Sequence, residues 1–375
     1  MKILVFSWRD PKHPKAGGAE QVMHEHIKGW IEAGHEITFF SSRPKGVVAN
    51  ETLDGVKIIR KGSQYVTTHI LAFFWYLFGK HETFDLVVDQ FHGWPFFTPL
   101  YVGPPKLAVI QEITREVWLK YRLPFGLNYI LGPLGYFVEP MFFLFYRKIP
   151  FMTGSQSAKD DLIKMGIPSK NINIVPHGVI IQEPPKNIKK LKTKTIVFFG
   201  ALTKDKGIED ALRCFSLLNK SGNYIFWVIG KPESEEYLDF LRNKSKKLGI
   251  SKKIIFWGFV SQEKKFELLK KAHIMVNPSV REGWGLVNIE ANAMGTPVVA
   301  YHSAGLIDSV LDKKTGLITK SNTPKELAKL TEGLLNEDRT YKTMQGQAKK
   351  WAKKFSWQKS KNKSKKLITS LILDI

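Results

Sequence analysis

R-E-G-W-G-L-V-N-I-E-A-N-A-M-G-T-P-V-V-A, from Arg281 to Ala300, reads as a loop feeding a helix that stops before a short buried strand. Glu282 and Glu290 bracket it, and both carboxylates are expected to face one cleft together with the new helix N-terminus. Backbone N–H groups at Gly285, Leu286 and Val287 have no partner within the helix they open. The helix dipole adds positive potential there, so phosphate oxygens are a natural ligand. An ionised carboxylate only accepts hydrogen bonds and can bridge neighbouring hydroxyls. Glu290, on the helix, is therefore expected to clamp a ribose, while Glu282, in the loop, reaches a sugar. Gly283 and Trp284 complete the donor-binding stretch, whose expected ligand is a nucleoside-diphosphate sugar. Among 34 acidic residues two glutamates at this spacing would decide nothing; the full string does. A capped amphipathic helix with solvated acids is the competing account.

Outward from this stretch, apolar runs alternate with helical segments. Ile3–Phe6, Ile37–Phe40, Leu86–Val88, Leu107–Ile110 and Ile172–Val175 form a first set of strand candidates. Ile196–Phe199, Ile225–Ile229, Ile254–Trp257, Ile274–Val276 and Pro297–Ala300 form a second. Short buried strands separated by helices imply an α/β class with parallel sheets covered on both faces, here two Rossmann-like domains. The break is expected in Gln182–Lys194, where Pro184-Pro185 and a run of lysines interrupt the pattern. A chain of 375 residues with 43% hydrophobic content fits two ordinary cores.

Other bulk properties narrow the partners. The lone Cys214 precludes an internal disulfide and points to a reducing compartment. The first apolar run is cut by Trp8-Arg9-Asp10, unlike a signal peptide. A net charge of +23 favours an anionic partner: acidic lipid, nucleic acid or phosphorylated substrate. No C-x-x-C, zinc-type histidine cluster or RNA-reading aromatic signature accompanies the lysines, so no nucleic-acid partner is expected. Asp-x-Asp is absent, so neither a metal nor a cofactor is expected.

Two further loops could hold a diphosphate. F-F-G-A-L-T-K-D-K-G, Phe198 to Gly207, joins a strand to a helix beginning near Ile208 and offers Gly200 and Lys206. Gly17-Gly18-Ala19-Glu20 precedes a helix whose Val22, His26, Ile27, Trp30 and Ala33 line one face. Ser157 reads as the cap of a later helix.

At these residues the sequence resembles the family-four retaining glycosyltransferases (glycosyl transferases group 1), through P-S-x-x-E-G-x-G-x-x-x-x-E-A-x-A-x-G-x-P-V. Pro278, Ser279, Glu282, Gly283, Gly285, Glu290, Ala291, Ala293, Gly295, Pro297 and Val298 fit it. Gly200, Leu202, Lys206 and Gly207 match the family's G-R-L-x-x-x-K-G loop, with Ala201 where arginine is common. The resemblance implies the GT-B fold: two facing Rossmann-like domains with the donor in an interdomain cleft, and a last helix crossing back to the first domain. The expected bounds are 1–182 for the acceptor-side domain, 183–194 for the linker, 195–348 for the donor domain and 349–375 for that helix.

The resemblance also implies that Lys206 neutralises the departing diphosphate and that Gly17 and Gly18 approach the donor phosphate. Gln111 stands where the family often has a histidine near the anomeric carbon; glutamine can donate a hydrogen bond but cannot act as a base. Glu112 and Glu116 are nearby acids. His177 replaces a common asparagine and reads as a turn residue rather than a ligand. Front-side displacement with retention, needing no protein base, keeps an active enzyme as the expectation.

Aromatic residues crowd Tyr65–Phe78 and Phe125–Tyr146, where Glu139 is the only charge in the second stretch, and Phe91–Phe97 reads as an acceptor-side loop. Pro133 and Pro140 interrupt the longer stretch, which reads as helices of the first domain rather than a membrane span. The expected activity is hexosyl transfer from a UDP- or GDP-sugar to a lipid-linked or polysaccharide hydroxyl. It is placed in the cytoplasm, at the anionic inner face of the plasma membrane. A soluble sugar or sugar-phosphate acceptor, or an inactive sugar-nucleotide-binding protein, are the alternatives.

Overall fold

The computed structural model describes residues 1–64, 67–115, 118–119, 128–182, 184 and 187–373. The chain divides into two compact units, Met1–Gly178 with Ser356–Ile375, and Val179–Phe355. The first unit carries β1 (Lys2–Ser7), α1 (Gly18–Ile31), β2 (Glu36–Ser41), β3 (Asn50–Leu53), β4 (Val56–Arg60), α2 (Thr67–Phe78), β5 (Leu86–Gln90), β6 (Lys106–Val109), α3 (Asn128–Phe145), β7 (Phe151–Thr153), α4 (Gln156–Lys164) and β8 (Ile172–Ile174). Among the described residues its sheet runs β3-β4-β2-β1-β5-β6-β7-β8. Its pairs are parallel except β3 with β4, a hairpin turned by Asp54-Gly55 at φ 50° and 82°. β1 shows why the runs are apolar throughout: Ile3 and Val5 pack with Met23, Ile27 and Trp30 on one face. Leu4 and Phe6 pack with Phe40, Ala72 and Phe96 on the other.

The second unit repeats the plan with β9 (Thr195–Phe199), α5 (Ile208–Leu218), β10 (Ile225–Ile229), α6 (Glu235–Lys247), β11 (Ile254–Gly258), α7 (Gln262–Lys271), β12 (Ile274–Asn277), α8 (Leu286–Ala293), β13 (Val298–Ala300), α9 (Leu306–Ser309), β14 (Gly316–Ile318), α10 (Pro324–Asn336) and α11 (Asp338–Ala352). Its strands lie in the order β11-β10-β9-β12-β13-β14, all parallel. In each sheet the chain winds outward from an inner first strand and then returns to that strand's other side. The carboxyl ends of β1/β5 and of β9/β12 are thus topological switch points, where α/β sheets open a crevice.

The last helix, α12 (Trp357–Leu373), packs on α1 within the first unit. Trp30 Nε1 donates to Ser364 Oγ at 3.1 Å, Lys361 reaches Glu32 at 3.1 Å, and Ile368 joins the core beside Trp30. Gly29 permits this approach, since a Cβ there would lie 2.8 Å from Lys361 Cβ.

Several expectations shift. The division falls at Gly178, before Gln182–Lys194. The later part of that segment is anchored to the second unit: Leu191 N donates to Lys271 O at 3.1 Å and Lys190 Nζ to Thr296 Oγ1 at 2.6 Å. Pro185 and Lys186 lie outside the described residues, as do Tyr65, Glu116 and Phe125. Ser155, not Ser157, caps α4, accepting from Ala158 N at 3.1 Å, and Ala33 lies exposed beyond the end of α1. Among the described residues no helix is long and apolar enough to cross a membrane.

Candidate donor site

Two loops meet at the switch point of the second unit. Gly207, between β9 and α5, sits at φ 74°, in the left-handed region that favours glycine, and a Cβ there would lie 2.1 Å from Pro278 O. Val280 N donates to Asp205 O at 2.8 Å, stitching loop 200–207 to loop 278–285. Ser303 Oγ donates to Ser279 O at 2.8 Å and Glu282 N to Ala304 O at 3.1 Å, which fixes the second loop from its other side. Glu282 Oε1 then receives both Ser279 Oγ and Lys206 Nζ at 3.1 Å. Lys206 also approaches Asp205 at 3.7 Å. A cation and a carboxylate are thus held together at a partly exposed strand end, the first suited to phosphate and the second to hydroxyls.

Gly285, at φ 80°, caps α8, and a Cβ there would lie 2.8 Å from Ser309 Oγ. Leu286 and Val287 are the first two residues of α8, so their N–H groups precede its internal hydrogen-bond ladder. One turn along, Glu290 accepts from Lys265 Nζ at 2.6 Å. Burial raises the Glu290 pKa, and the Lys265 ammonium pulls it back down. Lys265, on α7, lies 5.5 Å from the Phe199 ring at the end of β9. The sequence reading missed Lys265: one lysine among 57 basic residues carries no local signal.

Not every expected donor residue presents its side chain. Trp284 is 5% exposed and packs with Ile289 and Ala352, its ring 4.5 Å from Phe355, so only its backbone remains for a ligand. Gly283 continues the same loop. Gly200 N donates to Ile229 O at 3.1 Å, and a Cβ on Gly230 would fall 1.7 Å from Gly200 O; Gly200 closes the strand ends rather than offering its amide.

In the first unit, Gly17 N donates to Glu20 Oε2 at 2.7 Å, and Arg9 holds Glu20 at 2.9 Å. The Gly17 amide is therefore already engaged, while Gly18 is the first residue of α1. Gln111 lies just past β6, in a small cavity at the other switch point. Glu139 is buried on α3 and accepts from Thr114 N and Arg115 N at 2.7 Å each, bracing the loop after Gln111. His177 is buried, its pKa lowered to about 4 by desolvation, and a Cβ on Gly154 would lie 1.9 Å from its Nε2. Among the described residues no three His, Cys, Asp or Glu side chains group as a metal would require.

Two doubly wound parallel sheets, with a basic and acidic loop pair at the switch point of the second, define a GT-B glycosyltransferase architecture. Residues 16–183 match Glycosyltransferase Family 4 and residues 179–351 match Glycosyl transferases group 1. The chain belongs to this glycosyltransferase family. An uncharacterized glycosyltransferase of Methanocaldococcus jannaschii is 28% identical over 56% of this chain and 57% of its own length. The capsular polysaccharide biosynthesis glycosyltransferase CapM of Staphylococcus aureus is 31% identical over 40% of this chain and 38% of its own. The matches thus span about half or less of these relatives. The solved structure of Anabaena HepE in complex with UDP and glucose has the same fold, with a TM-score of 0.74 and 16% identity over 99% of this chain and all of that one.

Proposed function

We propose that the protein transfers a hexosyl group from a nucleoside-diphosphate sugar, with anomeric retention and without a bound metal, to a lipid-linked or polysaccharide hydroxyl. The contact between Lys206 and Glu282 at 3.1 Å carries this reading. In the proposed step the acceptor oxygen bonds to the anomeric carbon as the bond from that carbon to the β-phosphate oxygen breaks. The electron pair leaves with the diphosphate, which also takes the acceptor's proton. Lys206 stabilises the negative charge that grows on the leaving group, and the N–H groups opening α8 add to it. Glu282 orients the hexose hydroxyls and Glu290 the ribose. Glu282→Ala is expected to cut transfer by about 10²–10³-fold with an unchanged melting temperature, the size seen when one group that stabilises a transition state is lost. Near-normal turnover by the purified variant would refute the role.

An apolar face of the first unit supports a membrane-borne acceptor. Ile70, Phe74 and Phe78 on α2, and Tyr129, Leu134, Phe137 and Met141 on α3, are exposed, Phe78 at 76% and Tyr129 at 82%. Ring contacts tie each helix to the segment between β5 and β6: Phe73 of α2 to Tyr101 at 4.9 Å and Phe142 of α3 to Phe97 at 5.5 Å. Lys80, Arg147 and Lys148, just past the helix ends, are exposed as well. Apolar rings flanked by cations suit the inner, anionic face of the plasma membrane, which would place the enzyme peripherally on the cytoplasmic side. Sedimentation with anionic liposomes at physiological salt tests this. Protein remaining in the supernatant would favour a soluble sugar or sugar-phosphate acceptor.

A further inference from the structure

α2 ends in a turn that a histidine side chain closes. Gly79 N donates to Trp75 O at 2.9 Å, and a Cβ on Gly79 would lie 2.4 Å from that oxygen, so glycine lets the chain fold back on the helix it has just left. His81 then takes the next carbonyl. Its Nε2 donates at 2.7 Å to Tyr76 O, one of the last four carbonyls of α2, which have no partner within the helix. Its Nδ1 donates to Glu82 O, also at 2.7 Å. Both acceptors are carbonyl oxygens and cannot donate in return. A neutral imidazole carries one N–H, so this pair of bonds is complete only in the imidazolium.

The surroundings favour that cation. The ring lies 4.9 Å from Trp75, 5.2 Å from Tyr76 and 5.5 Å from Phe84, whose π-systems attract positive charge. It also stands at the carboxyl end of α2, the negative end of the helix dipole. Charged and titratable groups reach this corner from each packed element. Tyr76 of α2 packs on Tyr101 at 5.7 Å, and Lys80 precedes His81 in the chain. The Glu82 carboxylate is held by Lys2 of β1 at 2.6 Å and Lys57 of β4 at 3.4 Å, and Asp85, just before β5, accepts from Lys2 N at 2.7 Å. Both carboxylates are thus engaged elsewhere, and the two carbonyls and three aromatic rings hold the imidazolium.

Phe78, 76% exposed, and Phe74, 53% exposed, stack at 6.0 Å on the apolar stripe of α2. His81 follows Phe78 by three residues and is itself exposed. Chain length keeps it within about 11 Å of Phe78, comparable with the screening length at physiological salt, so a charge there feels the surface that receives the rings. We propose that His81 makes the docking of α2 on an anionic lipid surface proton-dependent: as imidazolium it caps the helix that carries Phe74 and Phe78 and adds a cation beside Lys80. The proposal rests on the membrane reading of the α2 and α3 face and extends it to regulation. An imidazole is the side chain whose charge changes between about pH 5 and 8. As pH rises through that range the ring keeps one N–H, one carbonyl loses its donor, and the cation disappears, so docking weakens in that direction. One cation beside such a surface is worth about fivefold in binding. A negatively charged leaflet also concentrates protons, so the surface promotes the form that binds it.

The test uses the full-length protein and sedimentation with vesicles of phosphatidylcholine and phosphatidylglycerol at physiological salt, from pH 5.5 to 8.5, a range over which these lipids keep their charge. Wild type is expected to bind about fivefold more tightly at pH 5.5 than at pH 8.5. His81→Gln should lose that change and stay at the wild-type pH 8.5 level. His81→Arg, which keeps the cation and remains informative if His81→Gln fails to fold, should stay at the wild-type pH 5.5 level throughout. A wild-type pH profile in either variant, or wild-type binding that does not change with pH, would overturn the proposal while leaving the docking face in place. A wild type that stays in the supernatant at every pH fails at the parent reading instead.

Discussion

Gly207→Ala tests whether loops 200–207 and 278–285 work as one piece. Alanine at φ 74° costs about 1–2 kcal/mol in the left-handed region. Its Cβ would also meet Pro278 O at 2.1 Å, so the second loop must move by about an ångström, which adds about 1–3 kcal/mol of overpacking. Gly249 is the internal control: it lies in the same unit at φ 69° with nothing within 4 Å of its missing Cβ, so Gly249→Ala incurs the backbone cost alone. Guanidinium unfolding followed by tryptophan fluorescence should therefore show the Gly207 variant less stable than the Gly249 variant by about 1–3 kcal/mol. Titration with a nucleoside-diphosphate sugar should separate them further, because the displaced loop carries Glu282. Equal destabilisation and equal donor affinity in the two variants would refute the coupling of the loops.

Three other expectations follow from buried charge and packing. The His177 pKa is lowered to about 4, so the unfolded chain binds a proton that the folded one refuses; stability falls as pH drops from about 6.5 toward 4. By pH 5 this amounts to about 2 kcal/mol, and His177→Asn should flatten the acid limb of stability against pH by that amount. Lys265→Met strands the Glu290 carboxylate in a buried site, so a loss of about 3–5 kcal/mol is expected at pH 8, shrinking as Glu290 protonates on acidification. Trp284→Ala should destabilise the second unit by about 3–5 kcal/mol through lost packing against Phe355, measurable in the same unfolding assay.

The parallel sheets were legible because strands buried on both faces must be apolar throughout, and ten such runs lie in strands. The hairpin of β3 and β4 was missed although Thr52-Leu53-Asp54-Gly55-Val56 carries a two-residue turn signal; its alternating exposed residues do not form an apolar run. β7 and β14 were missed because each offers only two adjacent apolar residues, Phe151-Met152 and Leu317-Ile318, too few to read as a run. Glu282 and Lys206 were singled out because each sits in a loop with its own string of glycines. The neighbours that define their surroundings come from distant sequence: Lys265 reaches Glu290 from 25 residues away, and Phe355 takes the Trp284 ring that was expected at the donor. The cap of α4 moved from Ser157 to Ser155 because two serines at this junction satisfy the same chemistry, and sequence alone does not rank them.

Calorimetric titration of UDP- and GDP-sugars, and of the bare diphosphates, into wild type, Lys206→Met and Glu282→Gln tests the donor assignment most directly. Wild type should bind one nucleotide class selectively. Lys206→Met should lose about 10–100-fold for sugar nucleotide and bare diphosphate alike, the worth of a charge-assisted hydrogen bond. Glu282→Gln should weaken only the sugar nucleotide. Wild-type affinity in both variants, or no binding of any of these ligands by the native protein, would contradict the assignment of Lys206 to phosphate and Glu282 to sugar.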